Sequence, residues 1–218
     1  MEKIVLYIHG MGGGADSRIP SILRDYFAHP IWQLPAEVRV VARTYDFDPE
    51  VAAGQIAGWV EELKPDLIVG ESLGSLQAMH IRNIPLLFVS PALNAPFHFQ
   101  IMAWLSLIPG MTLLFDRIYR PREGDRQNLH FTFRLLRKYR AHRKIAIETA
   151  LSRKSDRAFF AFFGTRDHYR RTGVVSVRSW ERQFGKSYAI YDGTHFMEEE
   201  HINALLVPKI CEVLKLDL

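Results

Sequence analysis

Apolar residues along the chain fall into two kinds of pattern, and the two kinds alternate. Five short runs are apolar at most positions and rich in β-branched or aromatic residues: Lys3 to His9, Val38 to Ala42, Asp66 to Gly70, Leu86 to Ser90 and Ala158 to Phe163. A sixth, weaker run covers Tyr188 to Tyr191. A strand with one wet face alternates apolar with polar, whereas a strand covered on both faces by crossover helices does not. These runs therefore predict a parallel sheet.

Between the runs the spacing is helical. Ile19, Ile22, Leu23, Tyr26 and Phe27 form one stripe, and Val51, Ile56, Trp59, Val60 and Leu63 form another. Ser17 is predicted to cap the first helix, with Pro20 in its opening turn. Asp48 is predicted to cap the second, with Pro49 at its first position and Pro65 preventing it from running on. A third helix is expected directly after Ser72, carrying Leu76, Met79 and Ile81 and ending near Asn83. The last helix carries Leu205, Leu206, Ile210, Val213 and Leu214 on one side, and Pro208 must kink it or lie near its beginning.

This order predicts an α/β fold: a mostly parallel, twisted sheet of about six strands, with right-handed crossovers placing helices on both faces. A chain of 218 residues suits one such domain, residues 1–218. The rhythm breaks over residues 91–156, where no convincing strand appears, and this segment reads as an inserted, mainly helical cap over the sheet edge where ligands bind. Its apolar stretch, Phe97 to Phe115, has the length of a membrane span but contains His98, Gln100 and Pro109-Gly110, so a lid or buried segment is expected. The turn-rich YRPREGDRQN follows, then a helix expected from about Leu129 to Leu151.

Composition adds three constraints. The single cysteine, Cys211, excludes an intrachain disulfide and a thiolate metal cluster, and its apolar helical setting predicts a buried thiol in a reducing cytoplasm. The opening MEKIVLYIHG holds a five-residue apolar run, too short for a signal peptide. The net charge of +4 is uneven: Asp116 to Arg157 carries thirteen Lys/Arg against five Asp/Glu, or +8, leaving −4 elsewhere.

Much of that charge lies on the predicted helix. Leu129, Phe133, Leu136, Tyr139 and Ile147 share one face, and Arg134, Arg137, Lys138, Arg140, Arg143 and Lys144 fill the rest. Such a helix shows its charges to water while its apolar side covers the core; attraction of an anionic substrate and contact with an anionic membrane surface are further readings, the membrane one not favoured. No nucleic-acid recognition motif accompanies these residues, and nucleic acid is not expected as a partner.

The candidate chemistry begins at Gly70-Glu71-Ser72-Leu73-Gly74, a G-x-S-x-G sequence between a buried strand and a helix. A sharp strand-to-helix turn brings both elements close together, and the two glycines supply the clearance. The competing reading is a glycine-flanked turn whose serine only caps the next helix. The first strand runs into His9-Gly10-Met11-Gly12-Gly13-Gly14, where the N–H of Met11, with that of Leu73, could hold an oxyanion. This loop matches neither phosphate-binding glycine pattern.

A serine hydroxyl needs a base, and His195 is the best-placed histidine, in the loop after Tyr188 to Tyr191. Its orienting acid is read as Asp167, four residues after the strand ending at Phe163, in preference to Asp192, which lies three residues before His195 and suits closing its own turn. Glu71 is expected to be solvated or, less favoured, to bind a cationic group.

The order Ser72, Asp167, His195, each beyond a predicted strand, resembles the α/β-hydrolase superfamily over nearly the whole chain, and the compact glycine loop looks like that of the small bacterial serine esterases. The polar HYRRTG after Asp167 departs from the apolar residue such enzymes often place there. The resemblance implies hydrolysis of carboxylic esters or thioesters through a Ser-His-Asp triad and an acyl-enzyme, with no cofactor and no metal. The expected substrate is a small acyl ester or thioester held by the apolar stretch, with an anionic head group favoured by the basic helix. The same core also serves acyltransferases, and a noncatalytic ligand- or partner-binding protein is the reading from another class.

Overall fold

The computed structural model describes residues 2–29, 35–120, 123–153 and 158–216. Its elements are β1 (Glu2–Ile8), α1 (Arg18–Ala28), β2 (Glu37–Ala42), α2 (Pro49–Leu63), β3 (Leu67–Glu71), α3 (Gly74–Ala78), β4 (Leu86–Val89), α4 (Ala95–Leu105), α5 (Met111–Ile118), α6 (Phe133–Leu151), β5 (Phe159–Gly164), α7 (His168–Arg171), α8 (Val177–Phe184), β6 (Tyr188–Tyr191), α9 (Glu199–His201) and α10 (Val207–Leu214). The six strands form one parallel sheet in the order β2-β1-β3-β4-β5-β6.

The absence of polar alternation has its expected meaning. Side chains leave a strand on alternate faces, and along the inner strands both faces are dry, while the edge strands β2 and β6 keep exposed positions such as Arg39 and Ile190. Leu6, Ile8, Ile68, Phe88 and Phe163 enter one core, beneath α2, α3, α6 and α8. Val5, Tyr7, Val69, Leu87 and Phe162 enter the other, beneath α1 and α10.

Strand order also fixes where a site can form. From β1 the chain goes outward to β2, returns past β1 to β3, and thereafter proceeds only in the opposite direction. Loops leaving β1 and β3 therefore diverge at adjacent carboxyl ends, the crevice where open parallel sheets bind ligands. Those loops are HGMGGG and ESLG.

Several helix expectations need correction. Ser17 precedes α1 but does not cap it: its Oγ accepts from Gly14 N–H at 3.0 Å, closing the preceding turn instead. Asp48 caps α2 through Glu50 N–H, with Pro49 in the first turn. The third helix stops at Ala78 because the following amides bond at i→i−3, His80 to Gln77 and Ile81 to Ala78, and Asn83 turns left-handed at φ 62°. Pro208 lies in the opening turn of α10, and the turn before it, Ile202–Leu206, is π-helical.

α6 begins at Phe133 rather than Leu129, because the Thr132 hydroxyl accepts Leu135 N–H and starts the helix there. The buried Leu129 and Phe131 pack as irregular chain instead. α6 links β4 to β5 and buries Leu136, Tyr139 and Ala146 in the same core as Leu6 and Phe88. It is thus the crossover helix of the β4–β5 unit, and α4 packs against its outer side. Cys211 is buried, which pushes its thiol up to about 11.

Candidate active site

Ser72 follows β3 directly, at φ 50°, in the left-handed region that non-glycine residues avoid. The strain is imposed by close packing on both sides. A Cβ on Gly74 would lie 2.2 Å from the His9 carbonyl oxygen, so only hydrogen fits where α3 starts against the end of β1. A Cβ on Gly70 would meet Ala78 Cβ and Ser75 Cα at 3.0 Å. Both glycines of the G-x-S-x-G sequence thus serve close approach, and Ser72 is left at the lip of the crevice.

His195 and Asp167 arrive from the next loops along the edge. The β5 and β6 loops meet tightly, since a Cβ on Gly164 would lie 2.3 Å from the Gly193 carbonyl oxygen. His195 Nε2 is 2.9 Å from Ser72 Oγ, and His195 Nδ1 is 2.8 Å from Asp167 Oδ2. Both side chains are almost fully buried. With Nδ1–H donated to the carboxylate, the Nε2 lone pair accepts the serine hydroxyl. Asp167 Oδ1 accepts Tyr169 N–H at 2.8 Å, so each carboxylate oxygen has a fixed donor. The Tyr169 ring packs 4.6 Å from His195, edge on, where the polar HYRRTG sequence gave no sign of an apolar support. Asp192 does not close its own turn, as the sequence suggested: it accepts from Thr165 Oγ1 at 2.8 Å and pairs with Arg166, tying the β6 loop to the β5 loop in solvent.

The glycine loop is held from several sides. Gly13 N–H bonds Gly10 O, Gly14 N–H bonds Ser17 Oγ, and Gly12 N–H bonds the buried Gln127 side chain at 3.1 Å. Among the described residues, no hydrogen-bond acceptor engages the N–H of Met11 or Leu73. Both residues line the crevice beside Ser72. His9 lies underneath, stacked on Tyr45 at 4.3 Å with Nδ1 bonded to Gly10 O, and burial pushes its pKa down to about 4.

Two supports of the His195 loop escaped the sequence reading, and the expectation for Glu71 needs correction. Arg18 donates to the carbonyls of Phe196 and Met197, and Glu198 accepts Thr194 N–H, so both hold the His195 loop. Neither has a local sequence signal, because each partner is distant in the chain or lies in a loop without regular structure. Glu71 is not solvated: Tyr7 OH donates to its Oε2 at 2.9 Å. The register explains this, since Tyr7 pairs with Val69 and residue 71 lies on the same face.

A cavity of about 820 Å³ opens over Ser72 and His195. Its apolar wall includes Leu73, Ala92, Phe99, Ile101 and Met102; Arg120 and Arg126 stand on its polar side. Among the described residues, no group of three or more His, Cys, Asp or Glu could hold a metal ion.

No protein-family model and no curated protein sequence matches the chain. Solved structures do match along nearly all of it. A carboxylesterase from the thaumarchaeon Nitrososphaera gargenis aligns over 98% of this chain and 91% of its own, at 14% identity and a TM-score of 0.55. A structure from work on the metagenome-derived lipolytic enzymes LipS and LipT gives 98%, 94%, 12% and 0.59. A mutant haloalkane dehalogenase, DatA from Agrobacterium tumefaciens, gives 98%, 90%, 12% and 0.61. The chain has the α/β-hydrolase fold. In an α/β-hydrolase sheet the loops after the strands present the reacting groups, and here the loops that carry Ser72, Asp167 and His195 leave β3, β5 and β6 at one edge. The names of these neighbours span ester and carbon–halogen chemistry, so the fold leaves the substrate to the site itself.

Proposed function

We propose that this protein is a serine hydrolase cleaving carboxylic esters or thioesters through a Ser-His-Asp triad. The observation that carries the reading is the unbroken relay from Ser72 Oγ to His195 Nε2 at 2.9 Å and from His195 Nδ1 to Asp167 at 2.8 Å. Ser72 Oγ attacks the acyl carbon as His195 takes its proton, and the resulting imidazolium is stabilised by Asp167. The Met11 and Leu73 amides receive the oxyanion, a role for which their unengaged N–H groups are suited; one such donor is typically worth about 3 kcal/mol in the transition state. His195 then protonates the leaving group, and later activates water to release the acyl chain from Ser72.

In this reading residues 91–156 form the cap, with α4 and α5 over the cavity and α6 tying them to the sheet. The substrate is a small acyl ester or thioester, its chain along the α4 wall and any anionic head group towards Arg120. The chemistry calls on no cofactor, and a reducing cytoplasm suits a chain with one buried, unpaired thiol. A fluorophosphonate probe is expected to label the wild type and not Ser72→Ala. Absence of labelling, together with no hydrolysis of any short-chain ester or thioester, would refute the proposal.

A further inference from the structure

The helix α4 is apolar on two opposite sides. Ala95, Phe99 and Ala103 face the core, at i, i+4 and i+8. Phe97, Ile101, Trp104, Leu105 and Ile108 continue at i, i+4, i+7, i+8 and i+11 on the outer side, and all are exposed. A surface helix normally turns polar residues outward. Beyond the Gly110 turn, α5 adds Leu113, 73% exposed, and Ile118, 62% exposed, while burying Phe115. Among the described residues, ten of the fifteen exposed large hydrophobic side chains lie between positions 97 and 119. Single exposed apolar residues are ordinary, whereas a concentration of this kind marks an interaction surface.

What borders the stripe selects its partner. The Arg143 guanidinium lies 4.6 Å over the Phe97 ring, and Arg137 lies 5.3 Å over Phe133, which packs against Trp104. Arg134 and Arg140 are exposed on the same helix, and α5 ends with Arg117. An apolar helix face with an outward tryptophan and a cationic border is the pattern of a helix lying in a lipid–water interface. No helix among the described residues is long and apolar enough to cross a membrane, so contact would be peripheral. A second copy of the chain fits less well, because a two-fold interface would oppose the cationic border to itself.

The stripe also meets the cavity. Ile101 belongs to both, and Tyr119 and Arg120, at the end of α5, line the cavity mouth. We infer that the α4–α5 hairpin docks on an anionic phospholipid surface and that the active site draws its ester from that lipid layer. The substrate half rests on the hydrolase reading; the docking half does not.

The test separates them. Docking is measured on Ser72→Ala by co-sedimentation with vesicles of phosphatidylcholine alone and of phosphatidylcholine mixed with phosphatidylglycerol. Binding to the anionic vesicles is expected, weaker in high salt, and reduced at least about tenfold by adding Leu113→Asp and Leu107→Asp, the latter at an exposed leucine in the turn after α4. The same two substitutions in the active chain should spare hydrolysis of a water-soluble short-chain ester while lowering hydrolysis of a long-chain ester carried in anionic vesicles. Failure of Ser72→Ala to bind either vesicle would overturn the proposal, as would self-association that the two substitutions abolish without any lipid binding. An equal loss on both esters would overturn the substrate half. A wild type that hydrolyses nothing but binds anionic vesicles through the hairpin would remove the hydrolase reading and leave the docking surface standing.

Discussion

The Ser72–His195 edge and the α4–α5 hairpin border one cavity and obey opposite rules. At the edge, the side chains and loops are held by hydrogen bonds: Asp167 between His195 and the Tyr169 amide, the His195 loop between Arg18 and Glu198, the glycine loop on Gln127. On the hairpin, large apolar groups have solvent for a neighbour. Organised hydrogen bonds hold reacting atoms in place and cost little to reorganise during reaction, while an uncovered apolar surface has meaning only through what covers it. Under the proposed function, the contrast gives chemistry to the sheet and choice of substrate to the hairpin.

The largest test of that division is Asp167→Asn. An amide in place of the carboxylate is expected to lower kcat by about 10⁴, because it no longer fixes the imidazole tautomer or stabilises the imidazolium. Thermal unfolding should change little. Asp192→Asn, at an exposed turn, should leave kcat within about twofold, since surface changes of this kind are usually within ~0.5 kcal/mol. Equal losses from the two variants would show that the acid is misassigned.

Stability should respond most strongly under the sheet, away from both regions. Trp180 is fully buried on α8, packed against Phe88, Phe159 and Phe163. Trp180→Ala is expected to cost about 3–5 kcal/mol, read from urea denaturation. Any activity that survives should keep its substrate preference, because Trp180 touches neither the relay nor the cavity wall.

The difference between the regions also explains what could be read from sequence. That Ser72, Asp167 and His195 meet at one edge was legible because each follows a strand, and because Gly70 and Gly74 are demanded by backbone packing that no larger residue could satisfy. The sheet was legible for a similar reason, since burial on both faces leaves an apolar run. Arg18, Glu198 and Gln127 were not, because their contacts are long side-chain reaches to loops. The crossover role of α6 was hidden by the strand-free stretch around it, which suggested a cap, although its apolar face, with Leu136 and Tyr139, already pointed to the core. The hairpin misled most, since an apolar stretch ordinarily predicts burial and here half of it faces outward.

A pH series probes the support beneath the edge. His9 is buried and neutral, its pKa lowered by burial to about 4 from an ordinary value of 6.5. Below about pH 6.5 the unfolded chain binds a proton that the folded chain refuses, so stability is complete above that pH and falls as pH drops towards 4. Complete titration is worth roughly 3 kcal/mol for this group. His142, its ring tilted against His80 at 4.0 Å, is lowered by burial to about 3 and acts in the same direction. Urea midpoints at pH 7 and pH 4.5 should therefore differ more for the wild type than for His9→Asn. Equal differences would show that the His9 ring is not held neutral under the glycine loop.

The smallest expected effect is the most discriminating for the hairpin. Leu113→Ser removes an apolar side chain already 73% exposed, so little burial is lost on substitution. Its unfolding free energy should stay within about 0.5 kcal/mol of wild type, and hydrolysis of a soluble short-chain ester should be unchanged. A core leucine of the same size, Leu136 beneath α4, should cost about 2–5 kcal/mol when cut to alanine. Leu113 contributes to stability only if something covers it in the isolated protein. A loss at Leu113 approaching that at Leu136 would mean that the hairpin is packed in solution, and the contrast between a self-sufficient edge and an uncovered hairpin would fail.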